Sequence, residues 1–179
     1  MAVAARGGTV VAVGTATGTA VEAAGFGPDA LAEAWATRGV GLVGALVGEP
    51  TAPGSVLGSE VDVLVVASKP GLVDHQVAAQ VRAPLVVPAG PVPVTAKGLA
   101  VLRRAGITVL ADFVTTAGPL FAGWPSGAAD PAEAASAAIA AALGEVVGHD
   151  DGPLLGACYR AEAFLASWRP SLPFGRPLA

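Results

Sequence analysis

The residues best suited to chemistry in this 179-residue chain lie in short loops that follow apolar runs. Residues 14–18 read GTATG. A glycine-rich turn after a strand invites a phosphate, because bare backbone N–H groups can cradle its oxygens. The spacing here is glycine, three residues, glycine, without the third glycine that opens a helix, so a plain turn is favoured over a phosphate site. Further loops lie at residues 68–71, around Pro88, Gly90, Pro91 and Pro93, and at residues 112–118. Asp112 is either a functional carboxylate or a loop residue capping nearby amides. His75 and His149 read as surface residues, since neither has a second histidine at metal spacing. The cluster His149, Asp150 and Asp151 would hold a cation only weakly. Cys158, near Leu154, Leu155, Phe164 and Leu165, is favoured as a small core residue over a nucleophile.

These loops need elements to position them. Leu85, Val86 and Val87 form a buried strand that empties into the proline-rich loop. Thr95 then caps a helix over residues 96–104, with Leu99 and Leu102 on its apolar side, Arg103 and Arg104 in its last turn and Gly106 as its stop. Residues 107–110 make the next strand. In an open parallel sheet ligands bind at the carboxyl ends of strands, so the two loops of this unit supply two walls of a crevice. Residues 61–66, VDVLVV, are the clearest strand, with Asp62 near its entrance and residues 68–71 as a third wall. Asp74 caps a short helix over residues 75–81.

Upstream, residues 9–13 read as a strand buried on both faces, continuous in Val and Ala. Gly27, Pro28 and Asp29 open a helix through Thr37. Residues 40–46 are expected to be extended and residues 48–58 a loop. Downstream, Asp130 with Pro131 opens an alanine-rich helix toward Val147, and Pro153 opens another that reaches Trp168. Trp35, Trp124, Trp168, Phe164 and Tyr159 are expected to anchor the core. The tail SLPFGRPLA, residues 171–179, is a candidate docking arm.

At 53% hydrophobic residues and a mean hydropathy of +0.63, the chain has ample material for one domain's core, which argues against disorder. Its 24 glycines and 15 prolines interrupt every apolar run short of a membrane span. The net charge is −4, and Lys69 and Lys97 are the only lysines, so nothing resembles the basic patch that nucleic acid requires. One cysteine forbids an internal disulfide and fits a reducing compartment, and the chain reads as cytoplasmic.

Residues 86–118 also resemble the dinucleotide-binding domain of the glutamate, leucine, phenylalanine and valine dehydrogenases. The resemblance is carried by Pro93, Thr95, Gly106, Ile107, Asp112, Ala117 and Gly118. It extends backward, in the same order, through residues 11–18, 27–31, Arg38 with Gly39, and 61–64, and covers residues 8–127. It implies an α/β, Rossmann-like three-layer fold with a mostly parallel sheet that lacks the usual first strand and glycine fingerprint, and a helical C-terminal part. Residues 1–127 would be a partial dehydrogenase domain, with residues 128–179 packed on it as one globular unit.

The departures from the family bear most on function. Thr15 stands where the resemblance implies the ribose-binding acidic residue, and a hydroxyl cannot accept two hydroxyl hydrogen bonds as a carboxylate does. Pro91 and Thr116 stand where asparagines are implied near the nicotinamide. Pro119 replaces a glycine and stiffens the last loop. The cofactor-binding positions implied are thus Thr15, Ala67, Ser68, Pro91 and Thr116, for NAD or NADP if any cofactor binds. Neither lysine falls where the resemblance implies the catalytic one, so no catalytic residue is carried over. Only eight residues precede Thr9, so either the sheet closes without its first strand or another chain supplies it.

Three readings follow. The favoured one is a reduced amino-acid-dehydrogenase-like domain, not catalytic alone, that acts by binding a partner or small molecule. The second is an oxidoreductase subunit completed in trans within a homo- or hetero-oligomer. The third is a Rossmann-like module binding some other ligand. Neither nucleic acid nor a membrane is expected as a partner.

Overall fold

The computed structural model describes residues 2–123 and 127–169. The described residues divide into two compact units, one within 1–62 with 80–83, the other within 63–79 and 84–179.

The first unit is built on a β-hairpin. Strand β1 (Val10–Thr15) pairs antiparallel with β2 (Gly18–Phe26), with Thr15 opposite Gly18 and a two-residue turn between them. A strand buried on both faces was expected at residues 9–13, but no residue of β1 is fully buried. Its neighbour is the adjacent strand β2, so β1 is half-covered and not an inner strand of a parallel sheet. Thr19 is the buried polar residue that fastens the hairpin. Its backbone exchanges two hydrogen bonds with Thr51, and its hydroxyl donates to the Ala52 carbonyl at 3.2 Å and accepts from the Val56 amide at 3.3 Å. Helix α1 (Pro28–Arg38) begins at Pro28 as expected. Residues 40–46, expected to be extended, instead coil into a 3-10 turn at Gly39–Gly41 and helix α2 (Val43–Leu46). The turns satisfy their own amides, as in Leu42 N–H to Gly39 at 3.1 Å, while burying Leu42 and Val43.

The second unit holds a parallel three-stranded sheet, β3 (Val63–Val66), β4 (Leu85–Pro88) and β5 (Thr108–Val109), in the order β3-β4-β5. Helix α3 (His75–Ala78) links the first pair and α4 (Ala96–Arg104) the second. The expected caps are both present: Asp74 accepts from the Gln76 and Val77 amides, and Thr95 from that of Gly98. The first helix ends at Ala78, earlier than the expected residue 81. Leu64, Val66, Val86 and Val109 form the covered face of the sheet.

Residues 112–118, expected to be a loop, form α5 (Asp112–Thr115) and the start of α6 (Gly118–Gly123). Helices α7 (Pro131–Val146) and α8 (Pro153–Ala166) follow, and Ala111, Val146 and Ala157 make a small core under them with Val114 and Leu154. Small residues permit that approach: a Cβ on Gly156 would lie 2.8 Å from the His149 Cβ. The expected aromatic anchors are largely absent from the core. Trp35, Phe164 and Trp168 are 59, 66 and 59% exposed, and the small core under α7 and α8 is made of alanine, valine and leucine instead. Trp124 and the tail at residues 171–179 lie outside the described residues. The unit is α/β with a mostly parallel sheet and a helical C-terminal part, as expected. Among the described residues, no helix is long and apolar enough to cross a membrane.

Candidate functional site

The carboxyl ends of β3, β4 and β5 do converge. Their loops are joined by backbone before any side chain is considered. Gly71 N–H donates to Val92 at 2.9 Å, Val73 N–H to Pro93 at 2.9 Å, and Thr95 N–H to Val73 at 3.0 Å, so the first two loops run as a short parallel bridge. Gly90 lies where they touch, and a Cβ there would stand 3.3 Å from the Ser68 carbonyl oxygen, so the loop would have to give by a few tenths of an ångström to take a larger residue. Gly98 is required one step further on, because a Cβ would overlap the Val73 carbonyl oxygen and lie 3.1 Å from that of Asp74.

Asp112 ties in the third loop. Its Oδ2 accepts from the Val92 amide at 2.8 Å and its Oδ1 from the Phe113 amide at 2.9 Å. This favours the amide-capping reading of Asp112, across loops as well as locally. Val92 is the strained residue of the site: a β-branched side chain at φ +46°, 60% exposed. Pro93 would ordinarily hold it extended. Its donor and acceptor are both engaged, so the neighbouring loops hold the conformation. Thr115 closes the arrangement by donating to the Pro88 carbonyl at 2.6 Å.

The structure brings Ala67, Ser68 and Pro91 to this end of the sheet, all exposed, with Thr116 one turn beyond Asp112. Ala67 and Pro91 offer no polar side-chain atom. The Thr116 hydroxyl donates inward to the Asp112 carbonyl at 2.7 Å. Ser68 makes no side-chain hydrogen bond among the described residues. Thr15 belongs to the hairpin unit, where its hydroxyl pairs with that of Thr17 at 2.9 Å. The phosphate reading of residues 14–18 gives way to the plain turn, because they turn one antiparallel strand into the next and no helix N-terminus follows. Gly14 serves packing there, its missing Cβ leaving room for Val56. These positions do not fit a dinucleotide: they present neither a carboxylate for ribose hydroxyls nor an amide side chain for the nicotinamide.

Among the described residues, no group of three or more metal-ligating side chains is assembled. His149 Nδ1 accepts the Asp151 amide at 3.1 Å, a turn contact that explains the HDDG cluster without a cation. The Cys158 thiol is pushed up by burial, then by the Glu162 and Asp112 carboxylates, which makes it a poor nucleophile. Sequence reasoning missed the Asp112–Val92 tie and the roles of Gly90 and Gly98. A glycine inside a helix was the one visible signal, at Gly98.

A model of the Glutamate/Leucine/Phenylalanine/Valine dehydrogenase family matches residues 1–122. No curated protein sequence matches the chain. Among solved structures, the hetero-hexameric glutamate dehydrogenase of Thermus thermophilus in its Leu-bound form superposes with a TM-score of 0.74 at 25% identity, over 97% of this chain and 44% of that one. Glutamate dehydrogenase from Peptoniphilus asaccharolyticus gives 0.65 at 18% identity, over 93% and 43%. L-tryptophan dehydrogenase from Nostoc punctiforme gives 0.56 at 18%, over 72% and 41%. The chain thus spans less than half the length of each of these structures.

Proposed function

Because this chain belongs to the glutamate, leucine, phenylalanine and valine dehydrogenase family, we propose that it is a reduced nucleotide-domain member, not catalytic alone, that acts by binding a partner or small molecule. The observation that carries this is the chemistry of the five cofactor positions. Ala67 and Pro91 have no polar side-chain atom, Thr116 spends its hydroxyl on the Asp112 carbonyl, and Thr15 spends its own on Thr17. What remains for a dinucleotide is Ser68, the spare acceptor lone pairs of the two threonine hydroxyls, and backbone. Discrimination by a site built to hydrogen-bond its ligand depends on such groups, so their loss weakens binding. A net charge of −4 supports a partner other than nucleic acid.

Calorimetric titration of the purified chain with NAD and NADP tests this, beside assays of oxidative deamination of glutamate, leucine, phenylalanine, valine and tryptophan. No turnover and no micromolar binding are expected. Turnover by the chain alone, or micromolar binding of either cofactor, would overturn the reading.

A second reading is an oxidoreductase subunit completed in trans. It is favoured by the hetero-hexameric assembly of the Thermus thermophilus neighbour. That reading requires cofactor binding and turnover to appear when a complementary subunit is added.

A further inference from the structure

The loop after β4 is anchored firmly on both sides of a short stretch that is held by a single contact. On the near side the Ala89 amide donates to the Val66 carbonyl at 2.8 Å. On the far side the Val92 carbonyl accepts from Gly71 at 2.9 Å, and the Pro93 carbonyl from Val73 at 2.9 Å. Between these anchors, among the described residues, Gly90 and Pro91 make no hydrogen bond, and Pro91 has no N–H to offer. The Val92 amide, donating to Asp112 Oδ2 at 2.8 Å, is the tie that remains.

That tie works against backbone strain. Val92 sits at φ +46°, where a branched Cβ crowds the backbone. Pro93 adds to the penalty, because the residue before a proline favours an extended conformation. Strained backbone persists where its surroundings over-determine it, and it clusters at switches. Here the restraint is one-sided. The bonds at the Val92 and Pro93 carbonyls lie beyond the rotation about the Val92 N–Cα bond, so they survive a change in φ. The bond at the Val92 amide does not: turning φ to the extended range swings the Pro91–Val92 peptide over and carries its N–H away from Asp112.

We propose that residues 90–92 form a two-state strap at the carboxyl end of the sheet, latched by the Asp112 carboxylate and sprung by Val92. Latched, the strap spends Asp112 Oδ2 on its own loop. Released, it lets Val92 extend as Pro93 favours and frees that oxygen to accept from a bound molecule. Loop position and the availability of a carboxylate are thereby coupled. The anchors at Ala89, Val92 and Pro93 confine the motion, so the sheet and α4 stay in place. The device is independent of whether the chain acts through a partner or a small molecule.

NMR on the nitrogen-15- and carbon-13-labelled full chain tests this. In the parent protein Val92 should show the strong intraresidue amide-to-Hα cross-peak of a positive φ. Relaxation dispersion at the Gly90, Val92 and Phe113 amides should report a released state populated at about 0.1–10%, exchanging in microseconds to milliseconds. Val92→Gly removes the strain and should lower that population about tenfold or more. Asp112→Ala removes the latch and should make the released state dominant. The positive-φ cross-peak is then lost and the Val92 amide exchanges with solvent at least about tenfold faster, while Val86 in the sheet stays protected. A folded Asp112→Ala that keeps Val92 at positive φ would overturn the proposal. So would a parent without exchange at these amides, or equal released populations in the parent and Val92→Gly. Those last two outcomes decide the matter even where Asp112→Ala does not fold.

Discussion

Replacing Gly98 and Gly144 by alanine, one at a time, should move stability in opposite directions, although both lie in helices. Helix propensity alone favours alanine over glycine by about 0.5–1 kcal/mol at either position. Around Gly144 in α7 no atom beyond the adjoining residues and the helix's own backbone lies within 4 Å of the added Cβ, so the propensity gain should stand undiminished. At Gly98 the same methyl group overlaps the Val73 carbonyl oxygen and crowds the Asp74 carbonyl at 3.1 Å. Those atoms are backbone, and the Val73 carbonyl already accepts from the Thr95 amide, so no side-chain rotation relieves the overlap. Overpacking against a rigid neighbour costs about 1–3 kcal/mol or more, and the upper end applies here, which leaves Gly98→Ala destabilised by about 2 kcal/mol net. The two variants should then differ by about 3 kcal/mol in urea unfolding followed by far-ultraviolet circular dichroism. Gly98→Ala matching or exceeding the parent protein would refute the argument that α4 is pressed onto the loop after β3.

Thr95→Ala removes the cap of α4 and should cost about 1 kcal/mol in the same assay. The Asp74 carboxyl is held below its ordinary 3.8 chiefly by the Val77 amide, with partial desolvation opposing and the Gln76 amide adding to it. A depressed folded value means stability that is present above the unfolded value and lost as pH falls through the folded one. Asp74→Ala should therefore melt lower than the parent at neutral pH, with the deficit shrinking below about pH 4. Asp112→Ala frees the Val92 amide and should cost about 1–2 kcal/mol, with faster exchange of that amide by NMR. Cys158 should react with iodoacetamide at pH 8 more slowly than a free thiol, because burial and two carboxylates disfavour its thiolate, and unfolding in urea should remove the difference.

Local signals told most about the second unit. Thr95, Asp74, Pro131 and Pro153 open the helices they were expected to open, because a cap is a contact between a side chain and amides two or three residues away. Strands β3 and β4 were legible for a similar reason, as short apolar runs bounded by Gly and Pro. In the first unit that logic misled. Residues 9–13 have the composition of an inner strand, yet β2, which the sequence pattern did not announce, pairs with them as a hairpin. Residues 40–46 are apolar at every step, and such a run does not distinguish an extended segment from a tight helical turn.

The sequence by itself determined the kind of loops this protein has and what they lack. Side-chain chemistry is written residue by residue, so the absence of a carboxylate at Thr15 and of amide groups at Pro91 and Thr116 needed no coordinates. Tertiary structure decided what those loops do with the groups they keep. Only the fold sets Asp112 on the Val92 amide 20 residues away, turns the Thr116 hydroxyl inward and forces Val92 to φ +46°. It also decided that VLVV, an inner strand by composition, ends the sheet. Pairing and crossover hand belong to the arrangement of whole elements, and no local pattern encodes which edge is left open.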